Sequence, residues 1–536
     1  MVLLGLFSTE ISDPDFWWHL KTGEYIVTQH RLPWSDPFAY TTAGARPAYP
    51  GEETTRRFNL THEWLAQAVW YLVYRMGGFP AVVLWKALLL TTLCGLTGLV
   101  AGRRTGSWLW GIAAALAAAS LAIEFAKDRP GILSYVFTAA FIAIFERRRR
   151  LWMVPVLAVV WANCHGGFFL GWIVCAAYAA EALLRRSPDA HRILAAGGLA
   201  VLLTGVNPNG FSAIATVWRY RQSPMQATLT EWSRPDLWGP PYAFDVLLYA
   251  SAVVLVLSWK RVRPADWMLF AAFAAASLTA FRNVLLIGLF APVLIAAYFP
   301  WKRRLPAFAQ FAAAAVLALA LAWSTMRGSF FQLRAAEWRY PAGAAAFLSR
   351  NRISAPLFNT YEYGGYLIWK GHRVFIDGRA LSETVFQDYR WILGAPPTSG
   401  ARTQLLARYG IGAIVGNAFE YNSGVLYPLV LALVEPAAAE AWHLVYEDPQ
   451  SMVFLRDVPP GIPILDRGRI PAHLEAECRM HVERDPEFSL CARTLGDLFL
   501  RAGDIRRARG WLAFYLDHPY GPDPEARRRY LELLRQ

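Results

Sequence analysis

Long apolar runs broken by almost no charge constrain this chain more than any other feature. Residues 79–101, 131–145, 243–259, 265–281, 284–300 and 306–326 are nearly free of charged side chains. Most approach the ~20 residues that a helix needs to cross a ~30 Å hydrocarbon core. Within such a core every backbone N–H and C=O must be paired inside its own segment, so these runs are expected to be helices. The ten-residue alternation of a membrane barrel is not seen. Charged residues make up 17% of the chain, against roughly a quarter in average soluble domains. The expected fold class is an α-helical polytopic membrane protein of about 10–11 spans.

The formal net charge of +13 invites a polyanion partner, but the positions of the charges argue for topology instead. Arg103-Arg104, Arg147 to Arg150, Arg185-Arg186 with Arg192, Lys260-Arg261-Arg263 and Lys302-Arg303-Arg304 each sit in a short connection between apolar runs. Basic residues accumulate in the loops that stay on the cytoplasmic side. Spans at 79–101, 108–125, 131–146, 151–164, 168–184, 193–207, 243–259, 265–281, 284–300 and 306–326 put all five clusters on that side. Residues 12–78, 126–130, 164–167, 208–242, 282–283 and everything after 327 then fall on the other. Counting residues 62–76 as a span would invert the map, so they are expected to form a juxtamembrane or re-entrant helix. Met1 to Phe7 is too short to cross: either the chain starts late relative to its relatives or this span is truncated. A cleaved signal peptide is not expected, because no basic n-region or small-residue cleavage site is present. The implied localisation is a bacterial inner (cytoplasmic) membrane, with the C-terminal domain periplasmic or extracellular. Nucleic acid is not an expected partner, and the basic residues near the spans favour anionic lipid headgroups.

The expected domains are a transmembrane domain at 1–326, an exported α/β domain at 327–460 and a helical tail at 461–536. In the α/β domain short β-type runs such as PLFN (356–359), GAIVG (412–416) and SMVFL (451–455) alternate with helical patterns. Residues 495–516 resemble a single tetratricopeptide unit, a surface for a protein partner, although such repeats normally need neighbours to bury their faces. Cys478 and Cys491 pair if their compartment is oxidising, which spacing alone does not decide.

The segment richest in chemistry is Ser12-Asp13-Pro14-Asp15-Phe16-Trp17-Trp18-His19-Leu20-Lys21, which opens the first exported loop. Thr61-His62-Glu63-Trp64 follows near the end of that loop, and Asp36-Pro37 between them reads as turn chemistry. Two carboxylates, an imidazole and aromatic rings at a membrane surface can bind a metal, orient a sugar or deprotonate a hydroxyl. They can equally be an interfacial aromatic belt and a helix cap. The residues alone leave both readings open.

An aspartate at the exit of a first span, then juxtamembrane helices and many spans, resembles the GT-C superfamily of polyprenyl-phosphate-sugar-dependent glycosyltransferases. Oligosaccharyltransferase catalytic subunits carry a pattern close to Asp-Pro-Tyr-Tyr-His-Leu-Arg. Asp15-Phe16-Trp17-Trp18-His19-Leu20-Lys21 keeps its Asp-to-His and Asp-to-base spacing, with the proline before the aspartate instead of after it. LTHEWLAQAVWYLVYRMGG (60–78) resembles the tryptophan-bearing helix that closes the same loop. Two features depart from the pattern: the first span is short, and no Trp-Trp-Asp motif occurs in the C-terminal domain. The resemblance implies Asp15 as the catalytic carboxylate with Asp13 second, and Asp15, Asp13 and His19 as ligands of a divalent cation, Mg or Mn. It implies a lipid-linked sugar donor and an exported acceptor, with His19, Glu63, His165, Glu231, Arg282 and Arg129 on the substrate side.

The residues read separately keep an alternative beside each of these roles. Arg282 suits a lipid phosphate through its bidentate fork or simply snorkels at the interface. His165 faces the site or satisfies a helix end beside Gly166 and Gly167. Asp377-Gly378-Arg379 reads as a strand-end turn. No nucleotide-binding glycine loop, zinc-protease motif or paired C-x-x-C is present. The function expected is glycosyl transfer from a polyprenyl-phosphate donor. The alternative is a non-catalytic membrane scaffold or accessory subunit that keeps the fold.

Overall fold

The structure is a computed structural model that describes all residues except 43, 221–229, 300–306, 380, 398, 422, 435–440, 519–522 and 536. The basic cluster Lys302-Arg303-Arg304 therefore lies outside the described residues. The chain packs as two units: Met1–Ser35 with Tyr49–Ala336, and Asp36–Ala48 with Glu337–Gln536.

The first unit is helical. Its elements are α1 (Val2–Phe7), α2 (Asp15–Gln29), α3 (Glu52–Thr61), α4 (Trp64–Thr105), α5 (Trp108–Ala122), α6 (Ile132–Arg147), α7 (Met153–Cys164) and α8 (Phe169–Leu184). They continue with α9 (Ala190–Leu203), α10 (Ser212–Tyr220), α11 (Tyr242–Leu257), α12 (Pro264–Thr279), α13 (Leu285–Tyr298) and α14 (Ala307–Met326). Each of the ten spans expected above overlaps one of these helices within the described residues. Among the described residues four helical stretches are long and apolar enough to cross a membrane: Glu52–Thr105, Trp108–Phe125, Gly166–Leu184 and Phe281–Tyr298. Others are shorter than the runs that encode them. In α7 the first two residues of the run, Leu151 and Trp152, form a turn and leave a helix of 12 residues.

The helical run through Trp64–Thr105 is two helices joined at a kink. Gly77 and Gly78 leave helical dihedrals, with Gly78 at φ 63°, and Pro80 follows. A left-handed residue is cheap only for glycine, and proline removes a helical donor. At 1.5 Å per residue, residues 64–76 extend only ~20 Å, short of a ~30 Å core. This is the segment read from the sequence as juxtamembrane. Helix α2 lies close against it, because a Cβ on Gly23 would stand 2.1 Å from the Gln67 carbonyl oxygen.

At the far end of α4 a buried ionic network ties five helices together. The Arg104 guanidinium is bidentate to Glu146 of α6 (2.9 and 2.6 Å) and to Asp266 of α12 (3.0 and 2.9 Å). Arg263 bonds the same two carboxylates at 2.5 and 3.1 Å and stands 3.9 Å from Glu181 of α8. Tyr178 of α8 donates to Glu146 (2.6 Å) and Tyr298 of α13 to Asp266 (2.5 Å).

The second unit holds a four-stranded sheet of β1 (Leu357–Asn359), β2 (Ala413–Gly416), β3 (His443–Asp448) and β4 (Ser451–Leu455), in the order β1-β2-β4-β3. The β1–β2 pair is parallel, and the others are antiparallel. Phe358, Val415, Leu444 and Phe454 are buried core residues of the sheet. Asp36, from the segment that follows the first 35 residues, pairs with buried Arg379 at 2.8 Å, and Arg379 also holds Asp377 at 2.7 Å. The helices at 470–535 pack on this unit. Glu477 accepts from the backbone N–H groups of Ala418 and Phe419, and Cys478 and Cys491 form a disulfide.

Candidate functional site

The site begins with local chain chemistry. Asp13 accepts the backbone N–H of Asp15 at 2.9 Å, while the N-cap of α2 is Pro14, with no side-chain cap. The same aspartate also makes long-range contacts. Arg129, from the turn between α5 and α6, places its Nε 2.5 Å from Asp13 Oδ2 and its Nη1 3.0 Å from Asp15 Oδ2. That Nη1 is also 3.5 Å from Glu231, whose other oxygen is 3.4 Å from Arg282. The Trp18 indole donates to Asp15 Oδ1 at 3.0 Å. Arg282 stacks over Trp232 with its guanidinium carbon 4.6 Å from the ring centroid, and its carbonyl accepts from Tyr135. Asp13, Asp15, Arg129, Glu231 and Arg282, separated by up to 269 positions, thus form one chain of ionic contacts.

The two neighbouring aspartates are driven apart electrostatically. Burial raises the Asp13 carboxyl, but Arg129 outweighs it and holds the group below the usual range. Asp15 is pushed up to about 6, chiefly by burial, with Arg129 opposing and the Asp13 charge adding. Burial raises Glu231 as well, but Arg282 and Arg129 together keep it low. A pair of carboxyls with opposed shifts is the arrangement that lets one act as base near neutral pH while its partner stays ionised.

A second cluster adjoins α2. Glu63 stands 3.5 Å from His19, 3.5 Å from His62 and 3.6 Å from His165. Gln67 reaches His19 at 3.2 Å. His165 Nδ1 accepts from the Gly167 N–H (3.0 Å) and lies 2.6 Å from Ser134 Oγ. The proton of the neutral ring therefore belongs on Nε2, facing Glu63, and that nitrogen has no lone pair for a metal. Burial pushes both His19 and His165 down to about 4, against the pull of Glu63. His165 satisfies the helix end beside Gly167, one of its two readings, and also joins this cluster.

The structure thus groups Asp13, Asp15, Arg129, Glu231 and Arg282, and sets His19, Glu63 and His165 beside them as a separate set. The ring of His19 turns to Glu63 and Gln67, so the ligand trio Asp15, Asp13 and His19 is not assembled. Among the described residues no group of three His, Cys, Asp or Glu side chains is arranged to hold a metal ion. Lys86, its partner Asp128 and His62 are not among the residues the sequence singles out. Lys86, fully buried in α4, binds Asp128 at 2.9 Å and also the Thr9 carbonyl (3.0 Å) and hydroxyl (3.1 Å). It was legible as the single charge in the run 79–101, since charges at membrane depth carry a function or a partner. The signal for His62 is its place beside Glu63 in Thr61-His62-Glu63-Trp64.

These helices and this polar cluster define an integral membrane protein whose first loop supplies much of a charged site. The same fold occurs in the oligosaccharyltransferase AglB of the archaeon Archaeoglobus fulgidus, in a structure with an inhibitory peptide and a dolichol-phosphate. That match has a TM-score of 0.53 at 11% identity and covers 85% of this chain and 72% of the other. The apo form of an oligosaccharyltransferase from the same organism matches with a TM-score of 0.50 at 12% identity, over the same shares of the two chains. The likeness is one of fold, in agreement with the fold expected from the first loop. No family model and no curated protein matches the chain.

Proposed function

We propose that this chain is a glycosyltransferase that moves a sugar from a polyprenyl-phosphate donor to an exported acceptor, with Asp15 as general base. The observation that carries the reading is Asp15, 14% exposed and 3.0 Å from Arg129, raised to about 6 beside an Asp13 that is held low. The acceptor heteroatom attacks the anomeric carbon while the bond from that carbon to the phosphate oxygen breaks. The bonding pair leaves with the phosphate, and the acceptor proton passes to Asp15. Attack opposite the leaving group inverts the anomeric centre. Arg282, with Arg129, would stabilise the departing phosphate, a role suited to guanidinium. His165 and Glu63 would line the acceptor side. The resemblance also suggests a divalent cation, but Asp13 and Asp15 are already bridged by Arg129 and His19 turns to Glu63, so the three do not form a ligand set.

The setting proposed is a bacterial inner membrane with the second unit exported. The Cys478–Cys491 disulfide supports this, because disulfides persist in oxidising compartments. The helices near the C-terminus are the proposed surface for a protein partner. Cysteines engineered at Gly400 should react with an impermeant reagent in intact cells, and those at Thr105 or Ser187 should not; the reverse would overturn the map.

Turnover of a lipid-linked sugar by purified wild type and Asp15→Asn tests the chemistry. General-base assistance is worth about 10²–10⁴-fold, so the variant should lose about that factor while inserting normally. The closed pairing of Asp13 with Arg129 favours a second reading, a non-catalytic accessory subunit of the same fold. Absence of turnover in the wild type with any donor would support it.

A further inference from the structure

Asp13, Asp15 and Glu231 converge from two distant segments and offer the oxygen donors that Mg²⁺ and Mn²⁺ prefer. The place between them is taken. Arg129 sets Nε on Asp13 (2.5 Å) and Nη1 on both Asp15 (3.0 Å) and Glu231 (3.5 Å). The outward oxygens are engaged as well: Asp13 Oδ1 by the Asp15 N–H, Asp15 Oδ1 by the Trp18 indole, and Glu231 Oε1 by Arg282. A divalent ion entering here would have to displace a guanidinium that cannot be neutralised by deprotonation, and would be repelled by it until it did.

Arg129 is also not a loose surface side chain. The turn that carries it is anchored one residue earlier, where Asp128 pairs with buried Lys86 at 2.9 Å. The same ammonium holds Thr9 by its carbonyl and hydroxyl, four residues before Asp13. One buried cation in α4 therefore fixes both the segment that leads to the aspartates and the turn that meets them. Removing it would strand Asp128 in an apolar interior.

We propose that Arg129 is the resident cation of this site in place of a divalent metal, held in position by the Lys86–Asp128 pair, and that a phosphate-bearing ligand is bound there without Mg²⁺ or Mn²⁺. The phosphate part rests on the glycosyltransferase reading; the exclusion of the metal does not.

The test is Mn²⁺ binding to the purified full-length chain in detergent, followed by loss of the electron paramagnetic resonance signal of free Mn²⁺. The wild type should show no saturable site. Arg129→Asp exchanges the guanidinium for a fourth carboxylate and should gain one saturable site, which a further Asp15→Asn change removes. A stoichiometric Mn²⁺ site in the wild type that Asp15→Asn abolishes would overturn the proposal, and this arm decides the matter even if Arg129→Asp does not fold. Wild-type turnover that survives a metal chelator supports the proposal, and turnover abolished by the chelator and restored by Mg²⁺ or Mn²⁺ contradicts it. A wild type with no turnover but also no Mn²⁺ site would sink the glycosyltransferase reading and leave the metal exclusion standing.

Discussion

Two ionic clusters in the first unit have the same composition and opposite character. One joins Arg104 and Arg263 to Glu146, Asp266 and Glu181; the other joins Arg129 and Arg282 to Asp13, Asp15 and Glu231. In the first, Arg104 is 10% exposed, both of its partners receive bidentate bonds, and two tyrosines complete the shell. In the second, Arg129 and Glu231 are each 28% exposed and their contact stretches to 3.5 Å. Two arginines and three acids therefore do not define a role. What separates the two is how completely each charge is satisfied and how open it is to a ligand. The Arg104 end is built as a fastening between helices, and the Arg129 end is the more open of the two.

That contrast can be broken by experiment, beginning with the largest effect. Arg129→Met should lower transfer by an amount comparable to the loss of Asp15, on the order of 10²–10⁴-fold, while thermal unfolding in detergent shifts far less. Arg104→Met should do the opposite. It leaves Glu146 and Asp266 to Arg263 and the two tyrosines alone, and breaking a buried pair costs roughly 3–5 kcal/mol, visible as a lower midpoint of thermal unfolding. Equal destabilisation by the two changes would erase the distinction.

The pH dependence sharpens the comparison further. A base must be ionised to act, and Asp15 is raised to about 6, so transfer should fall as pH drops through about 6 and level off above it. Arg129 is the largest influence that lowers Asp15, so Arg129→Met should move this acid limb to higher pH, to be read from the pH profile of residual turnover. An acid limb that stays near the ordinary aspartate range in both proteins would remove Asp15 from the role. The smallest effect is expected at Arg282→Lys, where a point charge replaces a fork. The donor KM should rise with kcat little changed.

The sequence disclosed unequal parts of this structure. Apolar runs located the helices because lipid imposes one solution on the backbone. The parity of the basic clusters set residues 62–76 apart from the span that follows, and the break lies at Gly77-Gly78 with Pro80 after it. The partners of side chains were harder to see. Asp36-Pro37 reads as a turn, and Asp36 does accept the Phe38 N–H at 2.9 Å, yet its carboxylate is also buried against Arg379, 343 positions away. Asp377-Gly378-Arg379 looks like a strand-end turn for the same reason: the motif shows local geometry and hides the long-range ion pair. Arg129 and Glu231 were picked out singly, but their meeting with Asp13 depends on loop closure that no spacing encodes. His19 sits four residues from Asp15, as the resemblance requires, and its ring nonetheless turns to Glu63.

The most direct measurement is turnover of a lipid-linked sugar per folded molecule, with wild type, Asp15→Asn and Arg104→Met purified and compared side by side. The account expects Asp15→Asn to be folded and nearly inactive. It expects Arg104→Met to be recovered in lower yield but to turn over at close to the wild-type rate once corrected for the folded fraction. Full activity in Asp15→Asn, or a loss in folded Arg104→Met as deep as that in Asp15→Asn, would contradict the assignment of chemistry to one cluster and fastening to the other.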